Sequence, residues 1–197
     1  YNKSGKDIVL GNEVLQENKI QEYLNNNIRQ IKMENIGKEG ETYLSYIINY
    51  YYNLPEYTVF IQDDTENHIT NYEKFVNFCN KFIKNEEKFK QYPCTWKLGH
   101  KVKHQRYIKD GQLELPSFPS VDAIKLCCEE NNIFLPKLYS TETCAFFICS
   151  KHAILKNDRD FYIKLRIWLL NRYDKIDNAG CVLEHTWKLI FSDKSSF

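Results

Sequence analysis

Two carboxylates stand side by side at Asp63-Asp64, soon after the apolar run Tyr57-Thr58-Val59-Phe60-Ile61. Adjacent carboxylates on the turn that leaves a strand supply hard oxygen ligands to Mg²⁺ or Mn²⁺, and a cation held there offsets charge on a diphosphate leaving group. The same pair has a plain use as well, because Asp favours turns by bonding its own backbone. His68 follows on the same stretch and adds a nitrogen that can ligate a metal or move a proton, although a solvated loop histidine does neither. Near the far end, Glu184 and His185 interrupt a mostly apolar segment, Cys181 to Phe191. Apolar surroundings push a carboxylate towards its protonated form, which suits a general base, while a surface Glu on an amphipathic helix has no such duty. Gly37 and Gly40 flank Lys38-Glu39 ahead of an apolar period. Glycines there let backbone amides approach an anion at a helix start, and they serve a simple turn equally well.

Elements must hold these groups in place, and the apolar spacing predicts several. Residues 13–24 have loose helical spacing and 28–33 a short strand-like run. Tyr43, Leu44, Ile47, Ile48 and Tyr51 share one face over 41–52, with acidic residues at the amino end, which predicts an amphipathic helix. Asn53-Leu54-Pro55-Glu56 ends it, and the aromatic and β-branched run 57–61 reads as a buried strand. A helix through Tyr72, Phe75, Val76, Phe78, Cys79 and Phe82 comes next. Strand, helix and strand in that order argue for parallel pairing, with ligands outside the carboxyl ends of the strands. Four of the five prolines fall within 91–138, which predicts loop-rich cover. Residues 145–149 form a further apolar strand and 161–170 a helix, while 181–191 fits a helix or an extended segment equally.

Composition narrows the class. With 197 residues and 43% apolar content, the chain suits one α/β-sized domain that buries its own core. Twenty-seven basic against 26 acidic residues leave a net charge of +1, too little to hold nucleic acid. The longest apolar stretches, Ala145-Phe146-Phe147-Ile148-Cys149 and Ile167-Trp168-Leu169-Leu170, fall far below the ~20 residues of a membrane span. Seven cysteines, an odd count without a Cys-x-x-Cys pair, predict buried thiols in the cytoplasm or another reducing compartment.

Three blocks in order resemble a known family. They are Asn35-Ile36-Gly37-Lys38-Glu39-Gly40-Glu41-Thr42-Tyr43-Leu44 with Asn49-Tyr50 and Val59-Phe60-Ile61-Gln62 after it, then Phe146-Phe147-Ile148-Cys149-Ser150, then Gly180-Cys181-Val182-Leu183-Glu184-His185-Thr186-Trp187 running to Phe191. Together they resemble a conserved domain of unknown function found in fungi, algae and large DNA viruses, which looks like a glycosyltransferase of the type A fold. The resemblance implies a layered, mostly parallel α/β sheet flanked by helices over residues 1–197, with the family's opening strand expected upstream of Tyr1. It implies a nucleotide-sugar donor, a glycan or protein acceptor, and Mn²⁺ or Mg²⁺ as cofactor.

Site roles follow from the same resemblance. Asn35, Gly37, Lys38, Glu39 and Gln62 are expected to bind the donor, Lys38 standing where the family has Arg. Asp63, Asp64 and His68 are expected to hold the metal, with His185 as a further ligand. Glu184 is expected to take the acceptor hydroxyl's proton. The competing expectation is a non-catalytic carbohydrate-binding or capsid-associated module on the same scaffold, since a fold does not carry its function with it.

Overall fold

The computed structural model describes residues 38–62, 69, 71–93, 105–109, 112–113, 121–142, 145–172 and 179–193. The helix expected over 13–24 and the strand over 28–33 lie outside them. Helix α1 (Lys38–Tyr50) turns its Tyr43, Leu44 and Ile47 face inward and places Glu39 and Glu41 in its first turn, where the helix dipole favours negative charge. A single 3₁₀ turn, Tyr51–Asn53, leads through buried Leu54 and then Pro55 to β1 (Tyr57–Phe60). Helix α2 (Tyr72–Lys84) is capped by Asn71, whose side chain accepts from the Lys74 amide at 2.9 Å, and β2 (Phe89–Gln91) follows.

Next come β3 (Gln105–Lys109), β4 (Gln112–Leu113), α3 (Val121–Glu130) and β5 (Leu138–Glu142). Strand β6 (Phe147–Ser150) is buried at every position and runs directly into α4 (Lys151–Leu155), whose Ala153 amide Ser150 caps. Helices α5 (Arg159–Arg172) and α6 (Ala179–Phe191) complete the described chain.

The strand pairing corrects the expected layered parallel sheet. Among the described residues there are two three-stranded sheets, ordered β1-β6-β2 and β4-β3-β5, and every pairing in them is antiparallel. Helices outweigh strands throughout. The inference from strand, helix and strand failed for a definite reason. Strands β1 and β2 do run in the same direction, but β6 arrives from much later in the chain and inserts between them, pairing Phe147 with Phe60 on one side and with Gln91 on the other. The 91–138 stretch is likewise not only loop, since it holds α3 and most of the second sheet.

Both faces of the β1-β6-β2 sheet are covered, which is why β6 reads as an unbroken apolar run. Phe147 and Cys149 face α1, α3, α5 and α6 in the larger core, while Phe146 and Ile148 face Phe75, Cys79 and Phe82 of α2. Helix α6 lies at the centre of the larger core with Val182, Leu183, Trp187 and Phe191 fully buried. A helix enclosed on almost all sides shows no polar stripe, so its periodicity could not separate helix from extended chain.

Gly40 permits the close crossing of α1 and α6. A Cβ there would lie 2.8 Å from Leu183 Cδ1, so something must shift, and 3.7 Å from Leu169 Cδ2, an ordinary contact, and both leucines are fully buried. Gly40→Val is therefore expected to lower stability by about 1–3 kcal/mol despite leaving the helix fewer glycines. Urea unfolding would show this as a lower midpoint with unchanged slope; an unchanged midpoint would mean the crossing is looser than described.

Candidate functional site at the joined starts of helices α1 and α6

The Gly40 crossing brings two helix starts together from opposite ends of the chain. Lys38 opens α1 in the left-handed region at φ 57, a conformation that costs a non-glycine residue about 1–2 kcal/mol. Its Nζ donates to Cys181 Sγ at 3.2 Å in the first turn of α6, and Glu39 and Glu184 act on the same ammonium. Burial works against the charge on Lys38, yet Cys181, Glu39 and Glu184 outweigh it and hold the pKa above its ordinary value. Burial and Glu184 push the Cys181 thiol up, with Lys38 pulling the other way. At neutral pH the contact is thus an ammonium beside a neutral thiol. Glu39 Oε1 is buried with no hydrogen-bond partner among the described residues.

His185 sits one residue beyond Glu184 and faces inward at 3% exposure. Its Nδ1 lies 2.7 Å from the Cys181 carbonyl oxygen. A carbonyl can only accept, so this nitrogen carries a proton and is committed to the helix. Glu184 is half-buried, and its backbone carbonyl accepts from Gln91 Nε2 at 3.1 Å. Gln91 Oε1 accepts in turn from Thr141 Oγ1 at 2.7 Å, so one buried chain of bonds ties the α6 start to the end of β2 and to β5. Tyr43 Oη donates to the Ala145 carbonyl at 3.0 Å and fixes α1 to the residues entering β6.

Gln62 lies two residues past the end of β1, half-buried. Because Phe60 and Gln91 both pair with Phe147, Gln62 follows at the same end of the sheet as Gln91. The carboxyl ends of β1 and β2 therefore point the same way even though the sheet is antiparallel. Asn35, Gly37, Asp63, Asp64 and His68 lie outside the described residues. Among the described residues no three His, Cys, Asp or Glu side chains gather to hold a metal ion. A divalent cation beside Glu184 and His185 would face the Lys38 ammonium, and the His185 nitrogen nearest the helix start is already bonded.

Cys181, Gln91 and Thr141 were not legible as members of this group. A thiol in an apolar segment and a glutamine in a three-residue strand carry no spacing signal, and the contacts that matter span 143, 93 and 50 residues of sequence. A second polar centre lies one turn along α1. Glu41 Oε1 accepts from Arg166 Nε at 2.8 Å, from Arg166 Nη2 at 2.6 Å and from Ser45 Oγ at 2.8 Å, joining α1 to α5.

In chemical terms this is a helix-rich α/β unit with a cation, two carboxylates and two helix starts gathered at one end of a small sheet. The chain belongs to the family described as Protein of unknown function (DUF3431), whose model matches residues 11–197. No curated protein matches it, and no solved structure does. Among the described residues no helix is long and apolar enough to cross a membrane.

Proposed function

We propose that the chain is a metal-dependent glycosyltransferase taking its sugar from a nucleotide-diphosphate donor. One observation carries the reading: Glu184, separated by most of the sequence from Lys38 and Glu39, acts together with Glu39 on the Lys38 ammonium where α1 and α6 meet. A fixed cation and helix amides oppose the charge that grows on a departing diphosphate, which is the kind of electrostatic contribution that dominates such steps. Glu184, on the same helix turn, would accept the proton of an acceptor hydroxyl. Because the sheet is antiparallel, support for this function comes from this group of residues and from the resemblance of the blocks that contain them.

Charge argues for the cation. Lys38 is opposed by Glu39 and Glu184, so the described group is net negative and would repel a diphosphate by itself. Asp63, Asp64 and His68, which follow β1 in the sequence, would hold Mn²⁺ or Mg²⁺ and so reverse the sign.

The test is incubation of the protein with a panel of nucleotide-diphosphate sugars, Mn²⁺ and mixed glycan and protein acceptors, following nucleotide release and sugar transfer. Release that depends on acceptor supports a transferase. Free sugar without acceptor would make the protein a hydrolase, and retention of glycan with no turnover would make it a carbohydrate-binding module.

A further inference from the structure

We propose that Lys38 and Cys181 are an oxidation-triggered crosslinking site, joining the starts of α1 and α6 through a covalent sulfur–nitrogen bond. Nζ and Sγ are already 3.2 Å apart, in direct hydrogen-bond contact. The backbone on both sides is held, on one by α1 and the Gly40 crossing and on the other by α6 and the Glu184–Gln91 bond. Access singles out the same sulfur. Cys79, Cys127, Cys128 and Cys149 are all buried, whereas Cys181 is partly open, alone in this among the described cysteines.

The chemistry needs one oxidant, a peroxide. The Cys181 sulfur, giving up its thiol proton, attacks a peroxide oxygen; the O–O bond breaks, the departing hydroxide takes that proton to leave as water, and Cys181 becomes a sulfenic acid. The Lys38 nitrogen, having given one proton to solvent, attacks that sulfur. The S–N bond forms and the S–O bond breaks, the departing hydroxyl taking a second proton from nitrogen to leave as water. Sulfur has lost two electrons and the peroxide has gained them. A small thiol reverses the link by attacking the sulfur and returning the amine. Because the link consumes the Lys38 cation, it would also silence the site, a consequence that rests on the function proposed above; the link itself does not.

The experiment treats the reduced, full chain with hydrogen peroxide, blocks residual thiols and maps peptides by mass. The expected product is the Lys38 peptide joined to the Cys181 peptide, about 2 Da lighter than the two summed, with tryptic cleavage after Lys38 lost and both features reversed by dithiothreitol. Lys38→Arg should abolish the joined peptide and let Cys181 proceed to the sulfinic acid, a gain of about 32 Da. Cys181→Ser, with cleavage after Lys38 restored, separates the link from general damage. The proposal is overturned if wild-type Cys181 appears as sulfinic acid without the joined peptide, in a disulfide with another cysteine, or unmodified at peroxide levels that oxidise a free thiol. These outcomes are independent of whether any nucleotide sugar is bound.

Discussion

Glu184→Gln is expected to slow sugar transfer by about 10²- to 10⁴-fold while the protein stays folded and keeps its affinity for donor. Gln preserves the shape of the side chain and removes only its ability to take a proton, so the loss should fall on kcat rather than on donor binding. The fold gives a reason to expect little structural damage. What anchors this turn of α6 to the sheet is the Glu184 backbone carbonyl, bonded to Gln91, and the substitution leaves that bond in place. The check is a steady-state comparison of wild type and variant, with thermal melting beside it. A fall of only a few-fold with an unchanged melting temperature would mean that Glu184 is an ordinary half-buried carboxylate.

Arg166→Met is the change expected to cost most in stability. Glu41 is only 4% exposed, and Arg166 supplies two of the three donors to its Oε1. Removing the guanidinium leaves a buried carboxylate with, among the described residues, only the Ser45 hydroxyl bonded to that oxygen, a situation that typically costs 3–5 kcal/mol. The Arg166 side chain is 39% exposed, so water can reach part of the vacated space and the lower end, about 3 kcal/mol, applies. At this chain length that amounts to a fall of roughly 6–12 °C in melting temperature. The double variant Glu41→Leu with Arg166→Met should recover most of the loss, since taking away both partners removes the unpaired charge. Equal melting temperatures for wild type and the single variant would show that the pair contributes little.

Several elements could be read from apolar spacing, and the reasons for the failures are physical. Helix α1 shows its inward face as Tyr43, Leu44 and Ile47, and β6 shows its two-sided burial as an unbroken apolar run. Helix α3 was hidden because prolines on either side, Pro116, Pro119 and Pro136, outweighed the helical spacing of Ala123, Ile124, Cys127 and Cys128 between them. Pairing of strands was out of reach. Nothing local to β1 or β2 records that a strand more than fifty residues later separates them.

The candidate site divides in the same way. Lys38, Glu39 and Glu184 were recognisable by residue type and by family pattern, because charged groups in apolar or glycine-flanked settings stand out. Cys181 and Gln91 owe their importance to what they touch, Lys38 in one case and the Glu184 backbone in the other. Tertiary contact of that kind leaves no periodic mark.

Selective binding to the folded protein must raise its stability, so thermal melting reads donor binding directly. The protein would be melted with each nucleotide diphosphate and nucleotide-diphosphate sugar, with and without Mn²⁺, beside a Lys38→Met variant. At a hundred times Kd the gain is about 2.7 kcal/mol, or roughly 5–10 °C for a chain of this size. Such a shift is expected for one nucleotide class only, requiring Mn²⁺ and sharply reduced in Lys38→Met. No shift with any nucleotide, on wild-type protein that melts cooperatively, would contradict it.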